Sequence, residues 1–242
     1  MSGRKPTRPA RVTAAQLREG WAGPAGCRIR LARLEEAEAA AALIRMADAD
    51  GELPDEVLQL VQSGLNAALV LRGLDEGPQA IIEQVAVLAS QGLLHEAIGG
   101  LASVLVAQDP GGQVVATSLT FPPGAIIARA LQANLNKGKI LLLALAILKI
   151  KGVAVAESAR GAGLGQALLR RIVQIYDQVD YRLLYGQFSV GSGLETYYAR
   201  QGFEVLGEQA GVPLGPVFDL PITVGAPPGE RLFVRWNPSR RR

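Results

Sequence analysis

The feature that most constrains this chain of 242 residues is a glycine-rich turn between a strand-like and a helix-like segment. The β-branched stretch KIKGVAVA, residues 149–156, is followed by Arg160–Gly165, which contains three glycines and no carboxylate. An amphipathic helical pattern then continues to Val179. Glycines allow positive φ and close approach of the backbone, and the first amides of a helix have no internal partner. The sequence therefore predicts an anion-binding turn, with phosphate as the expected anion.

The spacing of the glycines separates the known phosphate-binding motifs. The dinucleotide fingerprint needs glycines at its first, third and sixth positions, but a count from Gly161 places Gln166 sixth. A Walker loop ends in Gly-Lys-Ser or Gly-Lys-Thr, whereas this turn closes with Gly165, Gln166 and Ala167. The pattern that fits is Arg-x-x-Gly-x-Gly, beginning at Arg160.

This stretch resembles the signature of the GNAT superfamily of acyl-CoA-dependent N-acyltransferases. In that family, a strand ending in valine is followed by Gln/Arg-x-x-Gly-x-Gly/Ala at the start of a helix, as in GVAVAESARGAGLGQALL. A second family signature, a helix that closes on Tyr-x-x-x-Gly-Phe before a strand, is matched by Tyr198–Phe203 in YYARQGFEV. The resemblance covers residues 150–206 and extends more weakly to 28–47 and 102–120. Residues 121–148 are longer than the usual connection in the family.

The resemblance implies an α/β (α+β) fold with a mostly antiparallel, twisted sheet, helices on both faces and a splayed parallel strand pair that binds acyl-CoA. Backbone groups of Val153, Ala154 and Val155 would pair with the pantetheine arm, as an added strand does. Tyr198 would be the general acid. No metal is implied, and acetyl-CoA would be the co-substrate. The pyrophosphate would be held by the amides of Arg160, Gly161, Ala162, Gly163, Leu164, Gly165 and Gln166.

The chemistry of thioester aminolysis independently favours a phenol at Tyr198. When an amine attacks the thioester, a thiolate with a pKa near ~8.5 leaves and can take a proton from a phenol with a pKa near ~10, provided that the two are held close. Tyr197, its neighbour, points elsewhere on a helix and is predicted to pack in the core.

A general base is missing from its usual place. Family members often carry a glutamate on the strand before the turn, yet residues 110–156 contain no Asp, Glu or His. An alkylammonium acceptor with a pKa near ~10 must lose a proton before it attacks. A second departure from the family pattern concerns cofactor binding, because Gly191 stands where many relatives carry an asparagine seven residues before the tyrosine. Five acidic residues stay open as bases acting through water: Glu157, Glu195, Asp48, Asp50 and Glu52.

Cysteine, histidine and charge exclude several function classes. Cys27 is the only cysteine and His95 the only histidine, which excludes disulfides within the chain and Cys/His zinc sites. We predict that His95 lies at a helix end as a C-terminal cap. Eight of the 25 basic residues lie in the terminal stretches 1–11 and 235–242, so residues 12–234 carry 17 basic against 22 acidic side chains. Nucleic acid is therefore not an expected partner except through the basic tails.

The chain is predicted to hold one large domain with extensions. Residues 1–26 form a flexible basic arm, residues 27–236 the acyltransferase domain and residues 237–242 a basic tail. The longest apolar run, Ile140–Leu148, is about half the ~20 residues of a membrane span, and no secretory signal is found. The expected location is cytoplasmic, and no membrane partner is expected.

Periodicity predicts the elements around the turn. Residues 140–148 are ambiguous between a buried helix and a strand. A hairpin is predicted at Asp109–Gly112, because four turn-forming residues separate two segments of period two. The other predicted helices are 35–47, one from Pro54, 79–92, 125–135 and 194–201, and the other predicted strands are 27–34, 181–189, 203–206 and 231–236.

The leading functional hypothesis is an N-acetyltransferase that acts on a primary amine. The acceptor stays open between a small molecule, a protein lysine or N-terminus, and an aminoacyl-tRNA. A second hypothesis is a catalytically silent acyl-CoA-binding or interaction domain, because the strand carboxylate is absent and Gly191 replaces the usual asparagine. A third is a generic α/β protein whose glycine turn only tightens a strand-helix joint.

Overall fold

An eight-stranded sheet organises the computed structural model, which describes residues 11–47, 51–132 and 134–238. The ten strands are β1 Trp21–Ala22, β2 Arg28–Leu31, β3 Ser103–Gln108, β4 Val114–Phe121, β5 Ile147–Val155, β6 Leu183–Ser189, β7 Glu204–Val205, β8 Val212–Pro213, β9 Thr223–Val224 and β10 Glu230–Trp236. The large sheet has the order β1-β2-β3-β4-β5-β6-β10-β7, and β8 pairs with β9 separately. The β5–β6 pair is parallel, and the other pairs are antiparallel.

Helices cover both faces of the large sheet. They are α1 Ala14–Glu19, α2 Ala37–Ile44, α3 Leu53–Gln62, α4 Ala68–Glu76, α5 Pro78–Ser90, α6 Leu94–Leu101, α7 Gly124–Gln132, α8 Lys137–Ala146, α9 Leu164–Gln178, α10 Glu195–Arg200 and α11 Gly215–Phe218. Successive side chains of β3 point to opposite faces of the sheet, so this strand contributes to the hydrophobic core on each face. Val104 and Val106 pack with α2 and α3, whereas Leu105 and Ala107 belong to the larger core with α9. The expected mixed, mostly antiparallel sheet between helices is confirmed.

A β-bulge in the pairing of β5 with β4 marks the point where β5 parts from β6, about halfway along β5. On β4, Leu119 is paired with Gly152 and Thr120 with Ile150, so Lys151 is an extra residue on β5. The parallel pairing with β6 covers 147–149 and stops just before this bulge. Because a bulge bends its strand and increases the local twist, the second half of β5 leaves β6 while it stays paired with β4. The result is a gap at the centre of the sheet.

The ambiguous run at residues 140–148 contains both structures. The side chain of Asn136 accepts a hydrogen bond from the Lys139 amide at 2.8 Å and caps α8, which ends at Ala146. The strand begins at Ile147, where the Leu- and Ala-rich sequence gives way to β-branched residues. The predicted hairpin is confirmed, with β3 and β4 on either side of residues 109–113.

The prediction of a flexible arm over 1–26 is wrong for residues 11–26. Thr13 forms a capping box at α1, and β1 joins the sheet. The side-chain amide of Gln178 on α9 accepts from the Val12 N–H at 2.8 Å and donates to the Val12 carbonyl at 2.7 Å. Arg171 lies over the Trp21 ring at 4.7 Å. Sequence periodicity could not show the last two contacts, because they join residues that are 166 and 150 positions apart.

The structure also differs from the sequence predictions in the limits of the domain, in the position of His95 and in one helix. Residues 1–10 and 239–242 lie outside the described residues, whereas Asn237 is buried and donates to the Tyr181 carbonyl at 2.9 Å. The domain therefore extends beyond the predicted limits 27–236. His95 lies in the first turn of α6, so the predicted C-terminal cap is wrong. Helix α4 was not predicted.

No helix among the described residues combines the length and apolar character that a membrane crossing requires. No group of three or more His, Cys, Asp or Glu side chains in the described ranges could hold a metal ion. Cys27 is buried, and burial raises the pKa of its thiol.

A buried ion pair supports the edge of the sheet and generates the first prediction. Arg30, 2% exposed, donates to both carboxylate oxygens of Glu36 at 2.5 and 2.8 Å, and Glu36 is 7% exposed. Glu36→Ala leaves the guanidinium buried without its counter-charge and should lower the free energy of unfolding by about 3–5 kcal/mol. Urea unfolding followed by circular dichroism measures this change. Glu35→Ala, at the exposed neighbour, is the control, and an equal loss in both variants would contradict the prediction.

Candidate active site

The gap between β5 and β6 opens into a cleft of about 780 Å³. The turn after β5, the first turn of α9 and the helix α10 form its walls, and Met46 and Ala47 close it from the α2 side. The predicted site residues that line it are Val153, Ala154, Val155, Arg160, Gly161, Gly163, Leu164, Gly165, Gln166 and Tyr198. Ala162, in the same turn, is not among the lining residues. The fold thus brings two segments that are far apart in the sequence to one site.

The turn before α9 forms an anion cradle from backbone groups. Gly161 and Gly163 have φ of 79° and 81°, a region that favours glycine. The amide of Ala167 donates to the Gly163 carbonyl at 3.0 Å as a first intrahelical hydrogen bond, so the amides before it point out of the helix end. The charged side chains that line the cleft are Arg160 and Arg200, and the described lining contains no Asp, Glu or His. This end of the cleft is suited to a phosphate or pyrophosphate.

The second half of β5 offers a free strand edge to the cleft. Val153 and Val155 are paired with Ser118 and Ala116 of β4 on one side, while the parallel pairing with β6 has already ended at Lys149. An extended molecule can therefore add to β5 as a strand would.

Tyr198 lies in a stack of aromatic rings beside the cleft. Its ring is parallel to Phe233 at a centroid distance of 3.7 Å and stacks on Phe188 at 5.4 Å. Burial raises the pKa of Tyr198 well above its usual value, and the neighbouring Tyr197 contributes to the rise. The phenol is therefore protonated at neutral pH and can serve as a proton donor.

Tyr197 is a cleft residue that the sequence interpretation placed in the core. Its ring is half-buried and lines the cleft beside Tyr198. Its hydroxyl lies so close to α9 that a Cβ on Gly165 would be 2.9 Å from it. Burial raises the pKa of Tyr197 as well. The Tyr-Tyr dipeptide was visible in the sequence, but the direction of each ring depends on how α10 packs on α9.

The acidic residues left open as bases are not brought together at the cleft. Glu195 lies 3.8 Å from Arg231, and Glu157 is exposed in the turn at the phosphate end. Glu52 is exposed as well, while Asp48 and Asp50 lie outside the described residues. Gly191 is exposed, with a φ of 81°.

Comparison with known proteins identifies the fold. No family model matches this chain, and no curated protein matches it. YncA from Salmonella typhimurium, assigned as an acetyltransferase and solved with its cofactor acetyl-CoA, is 13% identical, with 87% of this chain and 94% of that chain covered at a TM-score of 0.50. The chain has the GNAT fold.

Two other solved structures are similar at lower TM-scores. A protein from Desulfovibrio desulfuricans, assigned to the GNAT acetyltransferases, is 15% identical, with coverage of 87% and 99% and a TM-score of 0.48. Diaminobutyrate acetyltransferase EctA from Paenibacillus lautus, solved with L-2,4-diaminobutyric acid and coenzyme A, is 15% identical, with coverage of 89% and 96% and a TM-score of 0.45. These two similarities add no argument of their own, and the roles of individual residues stay predictions.

Gly186 sets the position of the aromatic stack and generates the second prediction. A Cβ at this position of β6 would lie 2.2 Å from the Phe233 ring and 2.8 Å from the Ile150 carbonyl oxygen. Gly186→Ala must therefore displace Phe233, on which Tyr198 stacks, and should lower the free energy of unfolding by about 1–3 kcal/mol. Thermal unfolding and the near-ultraviolet circular dichroism of the stacked rings measure the two effects. Gly124→Ala, where no atom lies within 4 Å of the added methyl, is the control, and an unchanged aromatic signal in Gly186→Ala would count against this role.

Proposed function

We propose that this chain is an N-acetyltransferase that moves the acetyl group of acetyl-CoA to a primary amine by direct attack. The observation that carries the proposal is the strand gap itself, which leads from an anion cradle at one end to a protonated phenol at its side. The GNAT fold supports the same function, because it is the fold of an acetyltransferase-assigned protein solved with acetyl-CoA.

The cofactor would bind in an extended conformation along β5. Its pyrophosphate would accept hydrogen bonds from the amides of residues 160–166, with Arg160 and Arg200 adding positive charge nearby. Its pantetheine arm would pair with the backbone of Val153 and Val155. The amide and strand-pairing interactions are made by the backbone, so the only residue type that they require is glycine. This requirement accounts for the glycine-rich spacing of the turn.

Tyr198 would supply the proton for the leaving group. The acceptor amine attacks the thioester carbonyl carbon, the carbon-sulfur bond breaks, and the thiolate takes the phenolic proton. The proton that the nitrogen loses as the amide forms restores the phenol. The burial that raises the pKa of Tyr198 also keeps the phenol protonated up to high pH, so its supply of protons does not fall between pH 6 and pH 9. The same burial disfavours a charged thiolate, which therefore gains from being protonated.

The acceptor belongs to the class of primary amines, and its identity among small molecules, protein amines and aminoacyl-tRNA stays open. The excess of acidic over basic side chains in residues 12–234 favours a cationic acceptor through electrostatic steering.

A catalytically silent acyl-CoA-binding domain is the second candidate. The observation that favours it is the cleft lining, which contains no carboxylate or histidine among the described residues. This candidate predicts stabilisation of the protein by acetyl-CoA without transfer to any amine.

The third prediction tests the acid. Tyr198→Phe should lower kcat for the release of free CoA by about 10²–10⁴-fold, because the thiolate then leaves without a positioned donor. Release of the CoA thiol is measured over a panel of primary amines. Thermal shift with acetyl-CoA should change little, because Phe preserves the ring stack.

Tyr197→Phe is the matched comparison, since it removes a hydroxyl from the same helix and the same cleft. A larger loss in Tyr197→Phe would move the acid to that residue. Stabilisation by acetyl-CoA with no turnover on any amine would favour the silent domain, and neither effect would dismiss both functions.

A further inference from the structure

One step of acetyl transfer has no residue assigned to it in the cleft. This step is the removal of a proton from the acceptor ammonium. The end of the gap indicates where that step takes place. The phosphate cradle begins beyond Val155, and the gap closes where Ile150 meets Gly186, whose Cβ would lie 2.8 Å from the Ile150 carbonyl oxygen. A strand rises by ~3.3 Å per residue, so the ~13 Å between Val155 and Lys151 accommodates an extended pantetheine arm. The thioester would therefore lie at the bulge formed by Lys151.

A carboxylate reaches this bulge from α3. The Lys151 ammonium forms an ion pair with Oε1 of Glu56 and lies 5.3 Å from the centre of the Phe121 ring. The second carboxylate oxygen of Glu56, Oε2, is buried and has no hydrogen-bond partner among the described residues. Glu56 thus has one carboxylate oxygen held by Lys151 and a second oxygen whose lone pairs the described residues leave unused.

The helix that carries Glu56 packs on the strand next to the predicted thioester. Leu53 lies three residues before Glu56 on the same face of α3, and its Cδ1 is 3.3 Å from the position of a Cβ on Gly152. Met46 and Ala47, which precede α3, line the cleft from the same side of the sheet. Glu56, through its ion pair with Lys151, thus lies on the same side of the sheet as these two cleft residues.

We propose, on the basis of the acetyltransferase function above, that Glu56 accepts the proton of the acceptor ammonium and that Lys151 is the positioning residue that holds its carboxylate at the bulge. The N–H bond of the ammonium breaks as Oε2 takes the proton, directly or through one water. The free amine then attacks the carbonyl carbon, the carbon-sulfur bond breaks, and the thiolate receives the proton of Tyr198. The second proton lost by the nitrogen as the amide forms restores the Tyr198 phenol, and Glu56 releases its proton to solvent. The acceptor nitrogen loses two protons overall, one of which ends on the CoA thiol and one in solvent, and no further reactant is needed.

Other charged groups face Glu56 from the neighbouring elements. Glu56 lines a second cavity of about 500 Å³, whose lining shares no residue with the cleft, together with His95 and Glu96 of α6 and Phe121 of β4. Lys151 of β5 completes the set. These groups also titrate, so the pH dependence of kcat/KM is compared between a variant of Glu56 and a variant of its exposed neighbour Asp55. Both variants keep the same surrounding groups.

The fourth prediction tests Glu56 with the primary alkylamine that the wild type acetylates best. Glu56→Gln should lower kcat/KM by about 10²–10⁴-fold at pH 7.5. At this pH only ~10⁻³ of an amine with a pKa near ~10.4 is unprotonated, so the deficit should narrow by about tenfold per pH unit as the pH rises. A structural role would leave the deficit independent of pH. Asp55→Asn, which removes the same charge from an exposed position of the same helix, is the control.

Lys151 variants keep the test informative if Glu56→Gln is poorly folded. Lys151→Met should also lower kcat/KM, and Lys151→Arg should restore part of it by keeping the ion pair, with thermal unfolding recorded for each variant. If the wild type acetylates an amine and Glu56→Gln does so equally well, or if its deficit does not narrow with pH, Glu56 is not the base. If no amine is acetylated by the wild type, the proposed function fails and the role of Glu56 fails with it.

Discussion

The parting of β5 from β6 is the constraint on which the rest of the site depends. One extra residue, Lys151, opposes the β4 strand, and the parallel pairing with β6 ends immediately before it. Bending of the bulged strand leaves the backbone of residues 153–155 without a neighbour on one side while β4 still supports it on the other. A buried sheet would normally satisfy such an edge with another strand. The vacancy is lined instead by helix ends and aromatic rings, which makes it a binding cleft.

Binding and chemistry use different parts of the chain in this arrangement. The proposed phosphate end would rely on amides and on the two glycines with positive φ, and these are fixed by backbone conformation. In the proposed reaction, the reacting end would rely on side chains that other contacts hold in place, Tyr198 by Phe233 and Glu56 by Lys151. The folded segment 11–26 supports the first part, because a Cβ on Gly163 would lie 3.8 Å from Pro24. Substitutions can therefore affect affinity and rate separately.

Local sequence patterns predicted the parts of the site that lie within one segment. The strand, glycine turn and helix at 149–178 could be read from period and glycine spacing, and the hairpin from four turn-forming residues. What could not be read depends on distant partners. Val12 is ordered by Gln178, and the direction of the Tyr197 ring follows from the packing of α10 on α9. Glu56 carries no sequence signal of its own, since 95 residues separate it from Lys151.

The aromatic surroundings of Tyr198 bear on when its proton can move. Burial raises the pKa of the phenol, which alone makes it a weaker acid toward a thiolate in water. A thiolate formed in the same desolvated cleft is a stronger base by the same physical cause, so the difference between the two pKa values is preserved only when both groups are shielded. The bound cofactor itself would provide that shielding by filling the gap between β5 and β6. In the proposed reaction the phenol would thus be a poor acid in the open cleft and an adequate one in the filled cleft, which would couple proton transfer to occupancy of the site.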